Sequence, residues 1–244
     1  MLTDGADLEQ SDAEGAVELA PLSSFSGTLS SRVYLSLKDA ILSLRYQPGQ
    51  IMRKRHICEQ LGISRSPVSE AVTRLAAEGL VDVVPQAGTF VARFSMDEIR
   101  EGAFLREALE LAAVERVAET ITDEQLTLLK RNLRVQQVLV DDLDVQGFYD
   151  YDTEMHNLIL SFTGYRRLAG VAETSWLQVD RARQLILPNP NRVRDTLVEH
   201  KAIVAALEAR DPVAARQATR KHLRQLLLNL ETIERDRPDL FDPS

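Results

Sequence analysis

Apolar residues recur at helical spacing through most of the chain, and the interruptions mark its organisation. Val33, Leu37, Ala40, Ile41 and Leu44 share one helical face, which Gln47-Pro48-Gly49 ends. A short helix is predicted from about 53 to 61; Gly62 then breaks the chain and Ser64 offers an N-cap for a helix through Glu78. Pro67 falls in the first turn of that helix, where its missing N–H does no harm. The β-branched runs LVDVV and TFVAR flank Pro85-Gln86-Ala87-Gly88 and predict a hairpin. From residue 94 onward the strand signal almost vanishes. Ser95 with Glu98, and Thr122 with Gln125, have capping-box spacing. Further helices are predicted over 144–163, 166–187, 192–209 and 212–236, with breaks at Gly164, Pro188-Asn189-Pro190 and Asp211-Pro212. Six antiparallel helices with short connections predict a bundle.

Charge sharpens this division. The 244 residues carry a net charge of −8, which at first sight argues against a nucleic-acid partner. Residues 1–28 hold six acids and no Lys or Arg, and are expected to form a disordered acidic tail. Residues 29–93 hold nine Lys and Arg against five acids, a balance of +4, while 94–244 stand at −6. The basic charge is therefore concentrated in one short stretch. A single cysteine excludes an internal disulfide framework, and no apolar run approaches the roughly 20 residues of a membrane helix. The N-terminus lacks the basic start and apolar core of an export signal, so a cytoplasmic protein with no membrane partner is expected.

Helix, short helix, turn, helix and hairpin, in that order, make a winged helix-turn-helix over 29–93. Leu61, Ile63, Val68, Val72 and Leu75 are its expected shared core. The start of the third helix, from its cap Ser64, then projects Arg65, Ser66 and Ser69 outward. Its backbone N–H groups suit phosphate, and an Arg there suits guanine in a major groove. Arg53, Lys54 and Arg55 open the preceding helix and are placed near the phosphate backbone, and Gly88 lets the wing approach DNA closely. Basic residues on a short three-helix unit also occur simply as a solvated face. The run VYLSLKDAILSLRYQPGQIMRKRHICEQLGISRSPVSEAVTRLAAEGLVDVVPQAGTFVA, however, resembles the DNA-binding domain of the GntR family of bacterial regulators end to end. The resemblance implies that Arg55, Arg65 and Ser66 contact DNA and that Gly88 shapes the wing tip. The chain departs from the family pattern at Ser69, where Arg is usual, and at Lys54, where an acid is common.

In the helical segment, His200 and His222 lie equally far from a turn near Asp211, roughly 16 Å up two adjacent helices at 1.5 Å per residue. His200 shares a stripe with Val193, Leu197, Val204 and Leu207, and His222 shares one with Ala215, Ala218 and Leu226. Asp152 and His156, four apart, interrupt an apolar face that carries Phe148 and Ile159. One Asp and three His form an N3O donor set suited to a divalent transition metal such as Zn2+, Ni2+ or Mn2+. Buried histidines satisfied by the core, and a simple i,i+4 pair, give the same spacing. FLREALELAA, YDTEMHNLIL and VEHKAIVAALEARDPVAARQATRKHL resemble the FCD effector domain of the FadR subfamily within GntR. That resemblance implies metal ligation by Asp152, His156, His200 and His222. It also implies that Arg106 faces the cavity and holds a carboxylate; a salt bridge with Glu110 is the alternative role. Arg183 and Trp176 are further pocket candidates, Trp176 being also a natural core residue.

The expected fold class is thus mainly α: an N-terminal winged helix-turn-helix (29–93) and a C-terminal antiparallel all-α, FCD-like bundle (94–244) for metal and effector binding and dimerisation. The expected function is a DNA-binding transcriptional regulator, acting as a repressor and not as an enzyme. As a homodimer it reads a pseudo-palindromic operator, and a small carboxylic acid controls that binding. The alternatives are a metal-dependent enzyme acting on a small acid, and a constitutive DNA-binding protein with structural histidines.

Overall fold

Residues 17–186 and 189–243 are described by a computed structural model, and the chain divides between Arg93 and Phe94 into two units. In the first, Thr28 accepts the Ser31 amide and opens α1 (Leu29–Leu42), whose face of Val33, Leu37, Ala40 and Ile41 is fully buried. α2 (Lys54–Leu61) ends at Gly62, whose left-handed backbone (φ +64°) lets the Ile63 amide reach the Cys58 carbonyl. α3 (Arg65–Ala77) buries Val68, Ala71, Val72 and Leu75 and packs against α1 and α2. Leu61 and Ile63, expected in that core, are only half-buried, because the tight turn after α2 leaves them at the margin of the packing.

β1 (Val81–Val84) and β2 (Gly88–Val91) pair antiparallel, with Val81 opposite Val91 and Val84 opposite Gly88. The Ala87 amide closes the turn on the Val84 carbonyl around Pro85 and Gln86, and Gln86 takes φ +63°, as the third residue of a type II turn does. Residues 50–52 run alongside β2 through an Ile51–Phe90 bridge, an anchorage of the wing that the hydrophobic pattern does not announce. The expected disordered tail over 1–28 is corrected for residues 17–28. Leu19 is buried, the Ala20 carbonyl accepts from Ser36, and the Glu18 carbonyl accepts from Arg45. One apolar side chain and two backbone bonds hold this stretch despite the acidic composition before it. The rest of that expected tail, residues 1–16, lies outside the described residues.

The second unit holds seven α-helices among the described residues: α4 (Met96–Thr120), α5 (Asp123–Asp141), α6 (Val145–Phe162), α7 (Leu168–Ser175), α8 (Leu177–Ile186), α9 (Pro190–Glu208) and α10 (Pro212–Asp236). Six were expected. The helix predicted over 166–187 is two, broken at Trp176 (φ −105°, ψ 4°), whose ring is buried among Ala113, Leu160, Ala172 and Val179. Packing the indole outweighs the local helix preference. α9 starts two residues early, with Asn189 as cap and Pro190 as first helical residue. Thr122 and Gln125 form the reciprocal capping box, and Ser95 accepts the Glu98 amide.

Two apolar clusters bracket the interior of the bundle. One, at the α9–α10 turn, packs Val114, Val117, Leu129, Met155, Ile159, Ile203 and Leu207. The other, toward the opposite ends of α5 and α9, packs Val140, Phe148, Val193 and Leu197. Leu207→Ala, at a fully buried position, should lower unfolding free energy by about 2–5 kcal/mol, read by denaturant titration. Beyond α10 the chain returns to Phe94: its amide donates to the Leu240 carbonyl, its carbonyl accepts the Asp242 amide, and the Phe94 and Phe241 rings lie 5.6 Å apart. The Arg181 guanidinium of α8 sits 4.4 Å from the centre of the Phe94 ring. No helix of the described residues is long and apolar enough to cross a membrane.

Candidate functional site

Between the two apolar clusters, α6, α9 and α10 bring Asp152, His156, His200 and His222 together, all buried, with one potential ligand atom of each within 4.8 Å of the others. The equal distances of His200 and His222 from the Asp211 turn make this possible, since Asp211 caps α10 through the Ala214 amide. Each imidazole is held from behind by its Nδ1 atom. His156 Nδ1 lies 2.6 Å from Glu110 Oε2, His222 Nδ1 2.8 Å from Glu199 Oε2, and His200 Nδ1 2.8 Å from Gln136 Oε1. Carboxylates only accept, so His156 and His222 donate from Nδ1. The Gln136 amide is oriented by its own donation to Asn132 Oδ1 and the Tyr151 carbonyl, which turns its oxygen to His200 and makes that Nδ1 a donor too.

The three Nε2 atoms are thereby turned to a common centre. His156 and His222 face one another Nε2 to Nε2 at 3.2 Å. His200 Nε2 is 3.2 Å from Asp152 Oδ1 but makes no hydrogen bond. Burial, then the charges of His156 and Arg183, hold His200 well below its ordinary pKa; burial, then His200 and His156, do the same for His222. Imidazoles secured through Nδ1, with their Nε2 atoms turned toward one buried carboxylate, are what a divalent metal requires. The donor set fits such an ion.

Arginines adjoin the cluster. Arg106 Nε is 2.6 Å from Glu110 Oε1, and its guanidinium lies 5.2 Å from the Trp176 ring centre. Burial raises the Glu110 pKa, yet the charges of His156 and Arg106 outweigh it and hold that carboxyl down to about 2. Arg183 pairs with Asp152 Oδ2, stands 3.4 Å from Asp180 Oδ1, and is pulled down to about 10 by burial and then by the like charge of Arg106. Both arginines line a cavity of about 360 Å³ together with Thr153, His156, Trp176 and Asp180, and both also line a smaller one beside Asp152 and His222. Trp176 Nε1 and Thr153 Oγ1 are buried without a hydrogen-bond partner. Of the two roles open to Arg106, the structure shows the bridge to Glu110 and a place on the cavity wall together.

In the first unit, Ser64, Arg65, Ser66 and Ser69 are exposed at the start of α3. Ser64 occupies the cap position but makes no side-chain cap bond, so it leaves the first-turn amides of α3 without a side-chain cap. Arg53 and Arg55 are exposed and Lys54 half-buried at the start of α2, with Arg55 Nε 3.7 Å from Glu59 Oε1. Gly88 takes φ +132°, a conformation L-residues rarely adopt, so a side chain there would strain the backbone even though it would meet Ile51 only in ordinary contact.

The model of the gntR family of bacterial regulatory proteins matches residues 29–91, and that of the FCD domain matches residues 101–225. The chain belongs to the GntR family and carries an FCD domain. This GntR-family chain is 32% identical over 209 residues to an HTH-type transcriptional regulator of Streptomyces ambofaciens, covering 86% of the chain and 88% of that protein. It is 28% identical over 213 residues to the HTH-type transcriptional repressor RspR of Escherichia coli, covering 87% and 93%. The solved structure of E. coli McbR/YncC shares the fold, with a TM-score of 0.73 at 23% identity over 85% of the chain and 100% of that one. It is a DNA-binding transcriptional regulator of the GntR/FCD type.

Glu110, Gln136 and Glu199 hold the three imidazoles of this GntR-family chain, whereas the sequence points to Glu110 only as a salt-bridge partner of Arg106 and to the other two not at all. A Glu or Gln on a helix usually faces water, and only apolar neighbours three and four residues away hint otherwise: Ala113 and Val114 for Glu110, and Leu133 and Val140 for Gln136.

Proposed function

We propose that the FCD unit binds a divalent transition metal through Asp152, His156, His200 and His222, and that a small carboxylic acid bound beside it controls operator binding by a homodimer. The observation that carries this reading is the convergence of three Nε2 atoms, each secured through Nδ1, on one buried carboxylate. A bound ion supplies a positive pole with positions open to an oxygen ligand. The chain supplies the rest. Arg106 and Arg183 offer guanidinium groups for a carboxylate, and Trp176 Nε1 and Thr153 Oγ1 offer unspent donors for hydroxyl or carbonyl groups. A cavity of about 360 Å³ suits a small organic acid.

α8 then links ligand to reading head. It carries Arg183 to the cavity, while Arg181, two residues away, packs on Phe94, the residue that follows the first unit. An acid that prefers one placement of α8 biases Phe94 and the spacing of the two reading units in the dimer. Arg53, Lys54 and Arg55 meet phosphates, Arg65, Ser66 and Ser69 meet base edges, and the wing at Gly88 meets the backbone. The expected output is repression relieved by the acid.

Metal analysis of protein purified without chelator, followed by thermal unfolding with a panel of hydroxy, sugar and dicarboxylic acids, tests the reading. Near one ion per chain and an upward midpoint shift with at least one acid are expected. No bound transition ion and no shift would overturn it. Phe94→Ala separates the linkage from the binding: the acid's midpoint shift persists while its effect on operator affinity falls by about fivefold or more, read by fluorescence anisotropy.

A further inference from the structure

Arg183 occupies an anomalous position. Asp152 is one of the four groups converging on the candidate metal centre, yet its Oδ2 is already paired with the Arg183 guanidinium, while its Oδ1 lies 3.2 Å from His200 Nε2. Arg183 is nearly buried, at 12% exposure, and it is borne on α8, a ten-residue helix that contributes none of the four donors. Its other contacts are weaker. Asp180 Oδ1 is 3.4 Å away on a carboxylate 30% exposed, and the Tyr149 ring centre is 4.9 Å away.

We infer that Arg183 competes with the metal for Asp152 and thereby couples metal binding to anion binding. Without an ion, the guanidinium neutralises a carboxylate that would otherwise be a buried, uncompensated charge among three imidazoles. When a divalent ion takes Asp152, that negative charge is shared with a second cation, and guanidinium and ion repel across a poorly hydrated gap. Arg183 is left a nearly buried cation whose remaining carboxylate partner is the half-exposed Asp180. The cavity it lines then attracts a carboxylate, which restores the counter-charge. Linkage makes the effect mutual: the metal raises affinity for the acid, and the acid raises affinity for the metal by the same factor. Arg106 does not fill this role, because its counter-ion is Glu110, which is not one of the four donors.

This inference rests on the metal reading above, and its test separates the two. Zn2+ affinity of the full-length, metal-stripped protein is measured by competition with a chromophoric chelator, with no acid present, for wild type, Arg183→Gln, Arg183→Lys and His200→Ala. Arg183→Gln should bind Zn2+ at least about tenfold more tightly than wild type, because nothing competes for Asp152. Arg183→Lys keeps a competing charge and should stay within about threefold of wild type. Equal or weaker binding by Arg183→Gln, with wild type binding one Zn2+ and His200→Ala impaired, would overturn the coupling and leave the metal site standing. Equal tightening by Arg183→Lys would also overturn it, showing that loss of packing and not of charge is responsible. Wild type failing to bind Zn2+, or His200→Ala binding as well as wild type, would instead overturn the metal reading.

Discussion

His200→Ala is expected to lower the affinity of the full-length protein for Zn2+ by at least about 100-fold. Removing a group that only positions a ligand already costs about 10–100-fold, and His200 is itself one of the four converging donors. The substitution also empties a fully buried position, so two quantities must be kept apart. The unfolding midpoint of the metal-free variant reports the lost packing. The rise in midpoint on adding Zn2+ reports the metal, since an ion that binds only the folded chain stabilises it by mass action. Wild type should show a clear rise and His200→Ala almost none. Gln136→Leu, which removes the acceptor behind His200, should fall between the two. A His200→Ala rise equal to wild type would mean that the histidines serve the core alone.

Arg65→Ala is expected to weaken binding to a selected operator by about 1–3 kcal/mol, roughly 5–150-fold, with little effect on a scrambled duplex. Arg65 is exposed on the first turn of α3, whose leading amides have no side-chain cap. Lys54→Ala should behave differently. Its loss weakens both duplexes alike and lowers the salt dependence by about one counter-ion, as loss of a phosphate contact does. Fluorescence anisotropy on both duplexes at several salt concentrations distinguishes the patterns. Equal losses on operator and scrambled DNA for Arg65→Ala would place it on the phosphate backbone and not on a base.

The legible parts of this chain are those where local chemistry and tertiary packing agree. Asp211-Pro212 caps α10 as its residue types dictate, and that one turn sets His200 and His222 at matching heights, so two of the four donors follow from counting along helices. Gly62 and the Pro85–Gly88 turn likewise announce themselves through backbone conformations that other residues resist. The break at Trp176 carries no such mark, lacking Gly or Pro; burial of one indole imposes it. Leu19 lies among acidic and small residues that by composition belong to a tail, yet it is buried, and the carbonyl of the next residue accepts from Ser36 of α1. Glu110, Gln136, Glu199 and the Arg183–Asp152 pair were hidden for the same reason. Their roles are defined by which helix faces them, and a polar residue inside a bundle cannot be told from one outside until the helices are assembled. The overall charge of −8 averages a basic reading unit with acidic flanks and so conceals the partner that the segment charges reveal.

The most direct test of an acid-responsive, metal-centred regulator is operator affinity measured against acid concentration, in parallel for Zn2+-loaded and metal-stripped full-length protein. For at least one acid the loaded protein should shift its operator affinity by about 5–150-fold while the stripped protein shifts little. An equal shift in both, or an acid that binds the loaded protein and leaves its operator affinity unchanged, would contradict the account.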